Sequence, residues 1–522
     1  YLATLGVTGV AGSDNAHFNQ PQDVAVDSNG LIYVADEGND RVQVFNSSRQ
    51  YVRTTGQTQS MGDSFDRFDG WGPHHVAVDG ANRLYVGDSG NHRVQVFDSS
   101  GAYLTTIGGR SGGASGRFRG PFGVAIGPDG ALYVADKDNN RIQKYAPGVP
   151  NWVQRNINGF GDRDRYVAAL APFGGHLYAG TSRYVTSGAQ IWRMDAAGNW
   201  NAVMTDGFGK STNAGIERLM EFKGHLYAGT ESSIDNPPYT AGGEIWRSSN
   251  GTTWEQVVDG GFGDLYNGGI FHMAVYSDQL YAGSWTYTNT LGAGIWRSST
   301  GDAGDWTQVA VNGFGDPGNR AILTMQEFDG YLYAGTRSDS PNGAHIWRYD
   351  GVTWVPVITD GFGDPATYDI SALAVLGDYL YAGTGRYDPT AQSYPGGQLW
   401  RCSRTSGCDE ASDWSVVVAD GFGKTTNVNI TALRTFDHHL YAMPYNVQSG
   451  MEVWRTADGV SWDQVGFAGL GDSNNGGPHW NNSLTTFNDN LFVGVYNTAS
   501  AGKIWQFLDN LTNKIYLPNV KR

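Results

Sequence analysis

The chain has 522 residues, with 74 Gly, 17 Trp and 28 Tyr and only 16% charged residues, a composition suited to many short strands joined by tight turns rather than to helices or disorder. The 35 Lys and Arg against 51 Asp and Glu leave a formal charge of −16, which repels polyanions and argues against nucleic-acid binding. No apolar run approaches the roughly 18 residues of a membrane span, and the opening YLATLGVTG lacks the basic and apolar regions of a signal peptide, so the chain reads as soluble.

In chain order, a strand reading IYVAD or LYAG returns ten times. Its aromatic falls at Tyr33, Tyr85, Tyr133, Tyr178, Tyr227, Tyr281, Tyr333, Tyr381, Tyr441 and Phe492. The spacings run from 45 residues (Tyr133 to Tyr178) to 60 (Tyr381 to Tyr441), close to the roughly 40 to 50 of one four-stranded propeller blade. No helix-period pattern interrupts them. The fold class expected is therefore all-β, a β-propeller.

The first three units read VAVDSNGLIYVADEGNDRVQVF, VAVDGANRLYVGDSGNHRVQVF and VAIGPDGALYVADKDNNRIQKY. Paired apolar strands, the Asp ending the second strand (Asp36, Asp88, Asp136) and the Asn-x-Arg turn resemble NHL repeats over about residues 1–148. The remaining seven place GFGD before an inner strand, then LYAGT, then IWR with Trp192, Trp246, Trp296, Trp347, Trp400, Trp454 and Trp505, then a turn such as SSNGTTW or TADGVSW. That turn is similar to the Asp-box of sialidases and of the sortilin luminal domain, with the Asp kept at Asp350 and Asp458.

Each unit divides into strands a to d, from the axis outward. Unit three begins in the first dialect and ends as NWVQRNINGFGD, close to DWTQVAVNGFGD of the second, which points to one continuous propeller over 1–508, NHL-like over 1–148 and Asp-box-like over 149–508. The opening YLATLG matches the d strands YVRTTG and YLTTIG, and the last unit lacks a clear d strand after KIWQF. A single ten-bladed ring closed by the N-terminal strand follows, because closure removes exposed edges. The alternative is a seven-bladed ring plus three NHL blades. Residues 509–522 become a spare C-terminal strand or tail that could pair with another copy; KIYLPNVKR looks like the short YLP-bearing tails of some exported bacterial proteins.

Function in such a ring is expected at the d–a and b–c loops. The Asp of GFGD (Asp162, Asp264, Asp316, Asp364, Asp472) is read as a turn cap, with Lys210 and Lys424 replacing it twice. The polar positions that follow, Asn213, Asn267, Asn319, Asn427, Arg165, Arg320, Tyr368, Asp369, His479 and Trp480, are expected at the channel mouth, where amides and a guanidinium orient a polar ligand. The b–c loops add Tyr184, Tyr239, Trp285, Tyr287, Tyr387, Tyr394, Tyr445 and Tyr496, amphipathic surfaces for a glycan or a protein.

Catalytic signals are thin. Glu217 and Asp369 are carboxylates on inner strands with no spacing that sets them the ~5 to 10 Å apart that glycoside hydrolysis needs. His74 and His75 are adjacent on an extended chain and expected to point apart. No cofactor or metal motif is found. Cys402 and Cys408 are placed to form a disulfide in an oxidising compartment. The reading is an exported, extracellular or cell-surface binding or scaffold protein for a glycan, a protein or its own copies. A glycan-acting hydrolase or lyase at the channel mouth is the alternative.

Overall fold

The computed structural model describes residues 3–56, 67–68, 72–80, 82–101, 103–108, 111–112, 118–128, 130–145, 152–156, 158–161, 166–182, 188–196, 198–232, 241–288, 291–339, 341–465, 468–471, 474–477, 483–497 and 501–507. Over these the chain is an all-β propeller of antiparallel sheets, in which most paired strands are consecutive in sequence. No described helix is long and apolar enough to cross a membrane.

Three sheets come first. Pro21–Val26, Ile32–Asp36, Arg41–Phe45 and Tyr51–Thr55 form one, His75–Val78, Leu84–Asp88, Arg93–Phe97 and Tyr103–Gly108 the second. Pro121–Ile126, Leu132–Asp136 and Arg141–Tyr145 form a third of three strands. The buried Asp that ends each second strand anchors the motif: Asp36 Oδ2 accepts from Arg41 Nε at 2.8 Å and Asn39 Nδ2 at 2.9 Å, and Asp88 and Asp136 hold Arg93 and Arg141 at 2.7 Å. A buried charge is tolerable because it is paired and fully hydrogen-bonded.

Seven ring blades follow. The first runs Tyr166–Phe173, His176–Ser182, Ile191–Met194 and Trp200–Met204, and five more repeat the pattern, each inner strand ten residues long, from Asn213–Phe222 to Asn427–Phe436. The seventh holds Asn475–Gly477 and Leu484–Phe487 on the inside, then Asn490–Asn497 and Lys503–Phe507. Its outer strand is Trp152–Gln154, paired as Trp152↔Phe507, Val153↔Gln506 and Gln154↔Trp505. Apolar clusters fill every joint, and the last, Val167, Leu170, Leu177 and Ala179 with Phe492 and Ile504, packs the seventh blade against the first.

The expectation that YLATLG closes a ten-bladed ring is thereby corrected. Ala3–Gly6 form no strand, and Tyr1 and Leu2 lie outside the described residues. The seventh blade takes Trp152–Gln154 because Trp152 brings a large side chain that is 0% exposed and lies 5.1 Å from Phe507, inside a cluster with Trp505 and Tyr441. Backbone bonds from Arg155 N to Ile504 O and Gly159 N to Gly502 O, 2.7 and 2.8 Å, extend the seam. The tail at 509–522 is outside the described residues.

The GFG turn between ring blades is an aromatic clamp. Its Phe sits at positive φ, 61° to 64° at Phe208, Phe262, Phe314, Phe362 and Phe422, a conformation a bulky residue takes only when surroundings enforce it. The compensation is a face-to-face stack on the IWR tryptophan, 4.2 Å for Phe262–Trp296 and 4.4 Å for Phe362–Trp400, plus an edge contact to the d-strand tryptophan, 5.6 Å for Phe262–Trp306. At the opposite end of the blade, Asp350 and Asp458 accept from backbone N–H groups two and three residues on, at 2.7–2.8 Å, and Asn250 does the same. Cys402 and Cys408 form a disulfide with Cα atoms 5.5 Å apart.

Candidate functional site

The d–a asparagines serve the fold. Each donates to the first glycine carbonyl of its own GFG turn: Asn213 to Gly207, Asn267 to Gly261, Asn319 to Gly313 and Asn427 to Gly421, at 2.8–3.0 Å. Their side-chain oxygens accept from Thr230, Ser284, Thr336 and Asn446. They are at most 7% exposed, so the expectation that they face a ligand is corrected: a short amide three residues past the turn is the group that can reach back and hold it.

The Lys exchanges have a structural partner too. Where Lys210 and Lys424 replace Asp, the residue before the blade's Ile-Trp or Val-Trp pair is Glu244 or Glu452; Lys210 binds Glu244, and Lys424 Nζ lies 2.5 Å from Glu452. The second Asn213 and Asn427 bonds go to the same carboxylates at 2.8 and 3.0 Å. In the blade with Asp316, that position is His345, with its Nε2 4.0 Å from the Asp316 carboxylate.

Chemical variety concentrates one position beyond LYAGT, where the b strand meets the next blade's inner strand. That position holds Ser182, Glu231, Trp285, Arg337, Gly385, Tyr445 and Tyr496, and the first five pair with Gly215, Gly269, Ala321, Asp369 and Asn429. The inner strands carry a bulge near this end, as between Ile370 and Ala372, which increases the local twist.

On one side the position builds an open cleft of about 800 Å³ lined by Arg337, Asp339, Asp364, Tyr368, Tyr387 and Tyr394, among others. Tyr387 and Tyr394, 37% and 43% exposed, sit with ring centroids 5.1 Å apart on the b–c loop, which Asp388 stiffens by accepting from Thr390 and Ala391 N–H. Behind them Asp369 is fully buried. Its Oδ2 accepts from Asn429 at 3.1 Å and lies 3.7 Å from Arg337, and Asn429 accepts from Ser371 at 2.6 Å. Burial pushes the Asp369 carboxyl up to about 6, against the opposing pull of Arg337 and Asn429. The Asp369 charge first, against burial, raises Arg337, whose guanidinium also lies 5.4 Å over the Tyr368 ring. The other cleft-side arginines are paired as well: Arg386 with Asp364, and Arg320 with Asp339 at 2.5 Å.

The aromatic line continues around the mouth. Tyr394 is close enough to Tyr445 and Tyr445 to Tyr496 for each to raise the Tyr445 hydroxyl's pKa, after burial, and Tyr496 meets Tyr166 edge-on at 5.5 Å. Across the ring, Trp285 lies between Phe271 and Tyr287 at 5.4 and 5.0 Å. The Tyr287 hydroxyl donates to Ser232 O at 2.7 Å, so that group is tied into the wall. Arg165, Tyr184, Tyr239, His479 and Trp480, with Asp162 and Asp472, lie outside the described residues.

Of the candidate acids, Glu217 and Asp369 sit on different blades. Glu217 instead hydrogen-bonds Glu231, and burial, then the Glu217 charge, holds Glu231 well above the usual carboxylate range. Among the described residues no three His, Cys, Asp or Glu side chains gather at metal-binding geometry. His74 and His75 do not point apart as expected: both rings lie against Phe122, at 4.6 and 5.0 Å, because His74 precedes the strand that starts at His75.

Residues 18–45, 71–97 and 118–145 match the NHL repeat family. Over 99 residues, 18% of this chain, the sequence is 38% identical to the peptidyl-glycine alpha-amidating monooxygenase of Mus musculus, and the match spans 10% of that protein's length. Among solved structures, an ancestral GH74 enzyme is similar with a TM-score of 0.42 at 12% identity, over 97% of this chain and 74% of the other. YCF48 from Cyanidioschyzon merolae gives 0.44 at 11%, over 69% and 99%.

Proposed function

We propose that this is an exported, non-enzymatic binding or scaffold propeller that takes a neutral glycan in the cleft of Tyr368, Tyr387 and Tyr394. The observation that carries the reading is an open, roomy cleft floored by partly exposed tyrosines, which give a sugar ring a flat apolar face and hydroxyls to bond. Neutral sugars fit best because Arg337, Arg386 and Arg320 each already face a carboxylate, and the chain carries −16 overall, which disfavours anionic ligands. The side-chain-capped turns at Asp350 and Asp458 support an Asp-box-like reading of the ring blades. The hydrolase or lyase alternative gains little from Glu217 and Glu231, since a hydrogen-bonded pair leaves no room for the ~5 Å or more that glycosidase carboxylates keep.

A neutral-oligosaccharide array followed by calorimetry tests this. Tyr394→Ala and Tyr387→Ala are expected to weaken binding about tenfold each, the worth of roughly one aromatic contact. An array with no binder, or binding indifferent to both variants, overturns it.

A further inference from the structure

The inner strands of the seven ring blades converge on the axis, and two of their positions decide what fills it. Opposite the fourth residue of each LYAG-type strand, the first six blades place Ala169, Arg218, His272, Thr324, Ala372 and Ala432. Opposite its tyrosine they place Ala171, Met220, Ala274, Gln326, Ala374 and Arg434. Alanine takes half the places in each set, so the centre is not filled by side chains. A cavity of about 480 Å³ lies there, lined from six blades by Arg218, His272, Gln326, Glu327 and Arg434 over an apolar wall that includes Met273 and Leu373.

The cavity gathers positive charge. Arg218 Nη2 donates to Met273 O at 3.1 Å, which holds its guanidinium across the joint between the second and third blades. Burial, then the Arg434 charge, lowers Arg218 to about 10, so two cations stand close enough to repel. Arg434 is reached by solvent along the axis yet is walled in by protein, and that burial lowers it with no carboxylate near enough to raise it. The arginines of the tyrosine cleft differ, since each of them faces a carboxylate.

His272 adds a neutral donor. It is 4% exposed, and burial, then the Arg218 charge, holds it well below the usual imidazole range. Its Nδ1 has no hydrogen-bond partner among the described residues, a state that buried polar atoms seldom keep. Glu327 is the one carboxylate among the described lining residues, and it is exposed.

We infer that the axial cavity is an anion site, in which Arg218 and Arg434 clasp one carboxylate or phosphate group of a small molecule and His272 donates a further bond. Guanidinium forks match both groups in shape and charge, and the apolar wall strengthens every charged contact made inside it. The −16 net charge opposes anions only at long range, where salt screens it beyond about 8 Å. This site is independent of the glycan cleft, because the cavity is lined by the second half of the inner strands, whereas the cleft uses Tyr368 near the start of one.

Calorimetry on the full 522-residue protein in low-salt, chloride-free buffer provides the test, with sodium phosphate and sodium succinate as separate probes. Saturable binding of at least one anion per chain is expected, and the tighter of the two identifies the group preferred. Arg434→Gln, at an exposed side chain, should weaken it about tenfold to a hundredfold, the worth of one charge-assisted hydrogen bond. Arg218→Met should do the same, with tryptophan fluorescence confirming the fold. Arg49→Gln removes the same charge from an exposed turn of the first NHL sheet and should bind as the wild type. Saturable binding of neither anion, binding that either ring substitution leaves unchanged, or an equal loss in Arg49→Gln overturns the inference.

Discussion

Replacing Asp369 with Asn isolates the one charge buried behind the cleft. The carboxyl is raised from 3.8 to about 6, a shift of about 2 units, worth about 3 kcal/mol at 1.36 kcal/mol per unit. The folded protein holds this proton more tightly than the unfolded chain does. The group's contribution is therefore intact below about pH 4 and is lost as pH rises through about 6. In Asp369→Asn the Asn429 bond can persist through the amide oxygen, but nothing titrates. Urea unfolding followed by tryptophan fluorescence from pH 4 to 8 should show the variant gaining on the wild type by up to about 3 kcal/mol across that window. Removing the opposing charge with Arg337→Met should move the wild-type window to higher pH. A gap between wild type and Asp369→Asn that stays constant from pH 4 to 8 would refute the argument that burial outweighs Arg337.

Three further outcomes follow from the fold. Trp152→Ala, at a fully buried site in the ring seam, should cost about 3–5 kcal/mol in chemical denaturation; a cost near that of a surface substitution would mean the seam is not closed by this strand. Asn319→Ala strips partners from Gly313 O and Thr336 Oγ1 and should lower stability by about 1–3 kcal/mol while leaving glycan affinity unchanged, which separates a turn clamp from a ligand contact. Cys402→Ser opens a loop with a separation of 6 residues and should cost about 2 kcal/mol by loop entropy, a loss that reducing agent reproduces in the wild type.

The propeller was legible because its signal is repeated: apolar alternation, turn glycines and one aromatic per blade recur along the chain, and each recurrence reinforces the others. Ring closure was not, because YLATLG and NWVQ both carry d-strand character. What separates them is burial of the Trp152 indole against Phe507, a contact between residues 355 positions apart that no local pattern encodes. The d–a asparagines misled for a related reason. A polar residue beside a channel reads as a ligand contact until its bonds are counted, and here they run back to Gly207, Gly261, Gly313 and Gly421. The sequence did contain an overlooked cue, since Lys210 and Lys424 occur only where Glu244 and Glu452 precede the blade tryptophan. Arg337 and Glu231 could have been found by asking which position varies after the invariant strand, because sites grafted on a repeated scaffold sit where the repeat is free to differ. Tyr387 and Tyr394 were visible as loop aromatics, but their convergence on Arg337 and Tyr368 depends on how adjacent blades splay.

The ring is closed by the seam between Trp152–Gln154 and Lys503–Phe507. The register Val153↔Gln506 can be tested by placing Cys at both positions and mapping disulfides under non-reducing conditions, beside a chain carrying Thr4→Cys with Gln506→Cys. A 153–506 link within one chain is expected, and none between positions 4 and 506. A 4–506 link in the second chain, with positions 153 and 506 left as free thiols in the first, would contradict it and restore closure by the N-terminal strand.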